Sequence, residues 1–264
     1  MEGRTEIVKK FIEFYSNEFL CTITTNPPRP ARSGRRTRSG HVADREAKNA
    51  LFDQLAIVAK ALGSGRRAEL IDVLAQGERS VDELAQQIDQ SVANTSHHLQ
   101  VLARAGLVVG QRDGTRVRYR LTSDRVSDLW AAIRDVAARH VAGFGDLADA
   151  YLGPRDGIAT VSREELAHRL DTDEVVVLDV RPPQEYAAGH IPGALPVDPE
   201  RLYEVVRTVP RDSEVVAYCR GEYCAFACEA VRALEADGVV ASRLEEGFPE
   251  WRLAGLPVEH EGDR

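Results

Sequence analysis

The stretch Glu214-Val215-Val216-Ala217-Tyr218-Cys219-Arg220-Gly221-Glu222-Tyr223-Cys224 decides how the second half of the chain is read. Its early residues form an apolar run of the kind that makes a strand buried on both faces. A short loop follows, and Ala225–Ala236 then takes helical spacing. Val175–Val180 upstream and Val239–Arg243 downstream repeat the strand pattern. Strands alternating with helices predict a parallel α/β sheet flanked by helices. Open sheets of this kind place their sites beyond the carboxyl ends of their strands, which is where Cys219 stands. The next helix offers unpaired N–H groups and the positive end of its dipole. With Arg220 adjacent, the Cys219 thiol is expected to ionise readily, and Gly221 lets the loop turn tightly.

Upstream the periodicity is that of helices. Leu51, Leu55, Val58, Ala59 and Leu62 share one face, and Arg67–Ala75 forms a second helix ended by Gly77. Ser80 and Glu83 make a capping-box pattern for Val81–Gln87. After a turn over Ile88–Gln90, Ser91 caps a fourth helix that runs through Ala105 to Gly106. Leu107–Arg112 and Arg116–Leu121 flank Asp113-Gly114, a hairpin signal, and Ser123–His140 is a last long helix. This is the order of a mainly α winged helix–turn–helix.

In such a unit the second helix of the motif enters the major groove of double-stranded DNA by its N-terminal residues. Thr95, Leu99 and Leu102 are expected to turn inward. Ser91, Asn94, Ser96, His97 and Gln100 are left as DNA-facing candidates, with Asn and Gln suited to adenine edges. Arg116, Arg118 and Arg120 alternate, so they share a strand face; with Arg112 they form a phosphate-seeking wing.

At 264 residues the chain suggests two domains. The expected boundaries are 1–46 for a disordered basic N-terminal extension, 47–147 for the winged helix, 148–156 for a linker and 157–264 for the α/β domain. Met1–Leu20 could form a short amphipathic helix before a Pro/Gly/Arg stretch that cannot bury a core. That extension reads as a DNA-touching arm, a dispensable addition, or sequence ahead of a start near Val42. The net charge of −8 is unevenly spread: residues 1–40 carry +4, residues 41–124 carry 0, and residues 125–264 carry −12. The acidic half repels nucleic acid, so a DNA surface is expected upstream. No apolar run approaches the ~20 residues of a membrane span, and the N-terminus is too charged for a signal peptide. A cytoplasmic protein without membrane contact is expected. Cys21, Cys219, Cys224 and Cys228 are too few and too clustered for a disulfide framework, and point instead to thiol or metal chemistry.

Asn94-Thr95-Ser96-His97-His98-Leu99-Gln100-Val101-Leu102-Ala103-Arg104-Ala105-Gly106-Leu107-Val108, with Phe52–Ala56 and Ala61–Gly63 before it, resembles the ArsR family of winged-helix repressors. The resemblance spans roughly residues 47–145 and implies a homodimer paired through the first and last helices. Here that pairing means Leu51–Leu62 with Leu129, Trp130, Ile133, Val136 and Val141. Many members hold metals with paired cysteines at the start of the third helix. Ser80 and Asp82 occupy those places and supply no soft thiolate, while His140 stands alone, so no metal is expected.

Leu178-Asp179-Val180-Arg181-Pro182-Pro183-Gln184-Glu185-Tyr186, Gly189–Ala194, the Cys219–Cys224 loop and Glu246-Gly247-Phe248-Pro249-Glu250-Trp251 together resemble a rhodanese domain over roughly 157–260. The resemblance implies transfer of sulfane sulfur through a persulfide on Cys219. The backbone amides of Arg220, Gly221, Glu222, Tyr223 and Cys224 are expected to stabilise its anion. Asp179 and Arg181 organise the site rather than react. The donor is thiosulfate, a persulfide or a polysulfide, and the Glu222 carboxylate disfavours dianionic thiosulfate. No cofactor is expected. Related phosphatase loops need an Arg six positions after the cysteine, where Ala225 stands, so that chemistry is rejected. Cys224 lies close enough in sequence to attack a Cys219 persulfide and leave a disulfide, while Cys228 is expected in the core.

Together these resemblances imply a dimeric, DNA-binding transcriptional regulator whose rhodanese domain senses or transfers sulfane sulfur. The alternative is a cytoplasmic sulfurtransferase whose winged-helix domain mainly dimerises it. A third reading is a scaffold with neither activity.

Overall fold

The computed structural model describes residues 44–260, apart from 154–156, 173–174, 199–200, 208 and 210. The readings of Met1–Leu20, the Pro/Arg stretch and Cys21 lie outside the described residues. Five helices build the first half: α1 (Arg45–Leu62), α2 (Gly65–Ala75), α3 (Val81–Gln87), α4 (Val92–Arg104) and α5 (Asp124–His140). The capping box forms: Ser80 Oγ accepts from Glu83 N at 3.3 Å, and Glu83 accepts from Ser80 N at 2.7 Å. The hydroxyl of Ser80 is thereby committed to the helix start. Ser91 caps α4 in the same manner, accepting from Asn94 N at 3.2 Å.

Leu70, Ile71, Leu74, Leu84, Leu99 and Leu102 meet in the centre of this half. Each fully buried side chain of this type contributes ~1.5–3 kcal/mol. The hairpin pairs β2 (Val108–Asp113) with β3 (Arg116–Leu121), closing at Asp113 opposite Arg116. Gly114 supplies the left-handed conformation, φ 59°, in the two-residue turn. A strand the sequence reading missed, β1 (Arg79–Ser80), pairs antiparallel with β3.

Helix α6 (Phe144–Leu152) corrects the expected linker. Residues 148–152 belong to it, with Ala148 and Leu152 buried. Gly153 marks the end of a packed helix, not the start of a free connection.

The second half is a five-stranded sheet in the order β4 (Thr160–Val161), β8 (Val240–Leu244), β7 (Glu214–Tyr218), β5 (Val176–Asp179), β6 (Leu195–Pro196), every pairing parallel. Alternation along each strand splits the core in two. Leu178, Val215, Ala217 and Cys219 pack on one side against α9 (Leu202–Val206) and α10 (Ala225–Ala236). Val177, Val216 and Tyr218 pack on the other against α7 (Arg163–Asp171) and α11 (Phe248–Leu253). The short helix α8 (Pro183–Ala187) follows β5 at the site end of the sheet. Among the described residues, no helix is long and apolar enough to cross a membrane.

Gly247, just before α11, lies so close to the cysteine loop that a Cβ would overlap the backbone of Arg220 and Gly221. Backbone cannot yield as a flexible side chain can, so overpacking costs ~1–3 kcal/mol or more at such a place. Gly247→Ala is expected to lower the unfolding free energy by at least that amount, read as a lower midpoint at unchanged slope in urea melts. Gly255→Ala, where a Cβ meets open space but φ is positive, separates the packing cost from the conformational one.

Candidate functional site

Strand β7 delivers Cys219 to its carboxyl end, and the loop to Cys224 leads into α10. Cys219 is 2% exposed. Its sulfur is joined to that of Cys224 in a disulfide, with Cα atoms 6.1 Å apart, inside the ~7 Å limit for such a bond. Cys224 is the N-cap of α10. Its N–H donates to Gly221 O at 3.1 Å, so one of the five amides expected to cradle sulfur is engaged within the loop in this state. Cys228, one turn further, is a buried free thiol. Glu222 is exposed and Tyr223 half-buried, with the Tyr223 ring edge-on to Phe144 at 5.4 Å between centroids.

Beneath the loop lies a sealed ion pair. Arg181 Nε donates to Asp179 Oδ1 at 2.9 Å and its NH2 to Oδ2 at 2.6 Å, with both side chains fully buried. NH2 also donates to Gly189 O at 2.7 Å, and the guanidinium lies 4.0 Å over the Phe248 ring centroid. Burial opposes the Arg181 charge, but hydrogen bonding and charge from Asp179 outweigh it and hold its pKa above the ordinary value. The Tyr218 hydroxyl donates to Asp179 Oδ2 at 2.5 Å. Burial, then the Asp179 charge, pushes that hydroxyl well above its usual range. Asp179 and Arg181 therefore hold the floor of the site and are shielded from solvent.

Arg220 turns away from the sulfur. Its Nε donates to both oxygens of the buried Glu185 at 3.0 Å, and its NH2 donates at 2.5 Å. Sequence reasoning passed over Glu185 as a site residue, although it stands within the Leu178–Tyr186 motif.

The sequence also gave no signal that the winged helix covers this loop. Both halves lie in one compact unit. Gln76, 1% exposed at the end of α2, donates to Arg220 O at 3.2 Å and accepts from Arg181 NH1 at 3.4 Å. Arg79 reaches Glu185 at 3.5 Å; burial lowers the Arg79 pKa despite that carboxylate. From α5, Arg134 pairs with Glu250 of α11, and Arg134 NH1 stands 2.9 Å from where a Cβ on Gly221 would be. Arg252 donates to Ala75 O at 3.1 Å.

The nucleic-acid candidates separate into two groups. Ser91, Asn94, His97 and Gln100 are exposed along α4, Ser96 is half-buried, and Thr95 is fully buried. Arg112, Arg116 and Arg120 are exposed on the hairpin. Arg118 departs from the expected wing: it is half-buried, and its Nε donates to Glu78 Oε1 at 2.8 Å. Trp130 is half-buried, and its indole N–H donates to Asp72 at 2.7 Å.

Asp179→Asn is expected to cost ~3–5 kcal/mol, because a buried Arg181 charge then lacks its counter-ion. Urea unfolding of Asp179→Asn, Arg181→Met and the double variant checks this. The double variant is expected to lose less than the two single losses added together.

Two family models match the chain: the bacterial regulatory protein arsR family over residues 64–109, and the rhodanese-like domain over residues 162–254. An HTH-type transcriptional regulator of Mycobacterium tuberculosis, Rv0324, is 44% identical over 215 residues, covering 81% of this chain and 94% of that protein. A sulfurtransferase of Allochromatium vinosum is 33% identical over 99 residues, covering 37% of this chain and 92% of its own length. The solved homodimeric winged helix-turn-helix DNA-binding domain of Mb0332 from Mycobacterium bovis is 42% identical, covering 39% of this chain and 94% of that one at a TM-score of 0.36. The chain thus belongs to the arsR family of bacterial regulatory proteins, in a form that carries a rhodanese-like domain behind its winged helix.

Proposed function

We propose that this chain is a homodimeric operator-binding regulator that takes up sulfane sulfur on Cys219 and answers with a Cys219–Cys224 disulfide. The observation that carries the reading is the contact of the winged-helix residues Gln76 and Phe144 with the loop between those cysteines. A change of sulfur state there changes what the DNA-binding half packs against.

The chemistry balances with a hydropersulfide donor, RSSH. Cys219 thiolate takes its outer sulfur, forming Cys219–S–SH and releasing RS⁻, which takes up the proton given up by the Cys219 thiol to become RSH. Cys224 thiolate then attacks Cys219 Sγ, the S–SH bond breaks, and its electron pair leaves on hydrogen sulfide. The two cysteine thiols are oxidised to a disulfide and the donor is reduced to thiol and sulfide. The buried Asp179–Arg181 pair and Glu185 position the loop for both steps.

Dimerisation is supported by apolar side chains left in water. Leu51, Phe52 and Leu55 on α1 are 58%, 58% and 61% exposed, and Val136 and Val141 at the end of α5 are each 56% exposed. Exposed apolar patches of this kind mark association surfaces. The acidic second half packs behind α2 and α5 and leaves α4 and the hairpin arginines exposed.

Operator affinity is expected to fall with salt by about 0.9 log units per log unit of salt for each phosphate contact. Arg112→Ala with Arg116→Ala is expected to flatten that slope by nearly two units on any sequence, whereas Asn94→Ala or His97→Ala relaxes base preference. Arg118→Ala, held by Glu78, is expected to alter the slope least. A double wing variant that binds like wild type overturns this docking.

Sulfur treatment is expected to change operator affinity about 5- to 150-fold, the usual span of coupling between sites. The measurement is fluorescence anisotropy on the chain's own upstream DNA, with reduced and polysulfide-treated protein, for wild type and Cys224→Ser. The variant is expected to carry persulfide on Cys219 by mass spectrometry but to show a different shift, because its disulfide cannot close. Unchanged wild-type affinity despite verified modification of Cys219 overturns the sensor.

A further inference from the structure

Between the loop and the winged helix lies a cavity of about 550 Å³, within the size range of small-molecule sites. Trp130 and Ala137 of α5 and Phe144 of α6 line it from one half; Tyr223, Cys224 and Phe226 line it from the other. The charged groups on its wall carry their own counter-ions, with Arg134 Nε left, among the described residues, as a buried donor without a hydrogen-bond partner. Arg134 pairs with Glu250, Arg220 is gripped by Glu185, and Asp72 accepts from the Trp130 indole N–H. A dianion entering here loses its hydration without gaining an unpaired counter-charge. An apolar body instead gains the aromatic walls.

The two sulfurs of the disulfide differ in their access to this space. Cys224 forms part of the wall, whereas Cys219 is absent from it and is 2% exposed within the apolar cluster under α10. We propose that the cavity is the binding site of a small organic thiol with an apolar body, and that this thiol reduces the disulfide by attacking Cys224. The inference names the reductant of the sulfur site proposed above and rests on that reading. The thiolate RS⁻ forms a bond to Cys224 Sγ as the Cys219–Cys224 bond breaks, and the electron pair leaves on Cys219 Sγ. A second thiolate attacks the substrate sulfur of this mixed disulfide, releasing RSSR and Cys224 thiolate. Two thiols are oxidised and one disulfide is reduced, and the protons lost by the two thiols balance those taken up by the two cysteines. The winged helix thereby supplies half of the reductant's pocket, so occupancy bears on the half of the chain that also carries α4 and the hairpin.

The test uses the full chain in its disulfide form and two probe thiols, phenylmethanethiol and 2-sulfanylethanesulfonate, compared at equal thiolate concentration. Reduction by phenylmethanethiol is expected to saturate and to outpace the sulfonate by about tenfold, the factor that ~1.4 kcal/mol of burial supplies. Acid quenching, alkylation and tryptic cleavage after Arg220 place the two cysteines on separate peptides. The mixed disulfide is expected on Cys224, with Cys219 alkylated. Ala137→Trp, which fills the cavity, is expected to abolish the preference. Should that variant fail to fold, the wild-type comparison and the adduct position still decide. Equal, non-saturating rates or an adduct on Cys219 overturn the proposal. Polysulfide treatment of the reduced chain reads the underlying proposal separately: absence of persulfide on Cys219 sinks the sulfur-uptake reading, while the site of thiol attack is read independently.

Discussion

The amide of Gln76 is the point on which the two halves turn. One side chain, sealed at the end of α2, donates to the carbonyl of Arg220 and accepts from the guanidinium of Arg181. A buried amide is tolerated only when both of its ends are satisfied. Here the donors and acceptors that satisfy it belong to the other half of the chain. Arg181 in turn is tolerated only because Asp179 neutralises it and Gly189 O takes a further N–H. Sheet floor, cysteine loop and winged helix are therefore linked by one continuous polar network inside an otherwise apolar core. Networks of this kind specify a single arrangement, because a partly satisfied version is worse than none.

Charge is distributed to suit that arrangement. The residues after Asp124 carry −12, and the winged helix turns Arg79 and Arg134 toward their carboxylates Glu185 and Glu250. Arg252 reaches back the other way to Asp124 at 3.7 Å. The exposed hairpin arginines lie apart from these pairs. Burial lowers the Arg79 pKa, and the nearby Glu185 carboxylate opposes that shift. Arg181 is the opposite case: Asp179 outweighs the burial and holds its charge.

Much of the fold was legible because its signals are local. Strands β5 and β7 announce themselves as apolar runs, since both faces of a parallel sheet are covered. The Ser80–Glu83 capping box and the Gly114 turn are fixed by residues three positions apart or closer. The closeness of Cys219 and Cys224 follows from a short loop before a helix. Helix α6 is hard to read because Gly153-Pro154 and Asp156-Gly157 mark a linker at its end, and the helical spacing of Leu147, Ala148, Tyr151 and Leu152 spans barely two turns before them. The covered loop was missed for a deeper reason. Gln76 and Arg220 lie 144 positions apart, Arg134 and Glu250 lie 116 apart, and single polar contacts across such distances leave no periodic trace. The pairing of Arg118 with Glu78 was hidden likewise, since strand alternation tells which face a residue shares but not what lies opposite it.

The position of Gly247 and Glu250 after both loop cysteines gives translation a part in closing the Cys219–Cys224 loop. The winged helix leaves the ribosome before the sheet domain, which at ~5–20 residues per second follows over roughly ten seconds. Through that interval Gln76, Arg79 and Arg134 face water, because their partners have not yet been made. Both loop cysteines emerge before the Gly247 turn that packs on Arg220 and Gly221. A nascent chain therefore exposes a thiol pair that the folded domain shelters, and an element synthesised after both cysteines is the one that covers them.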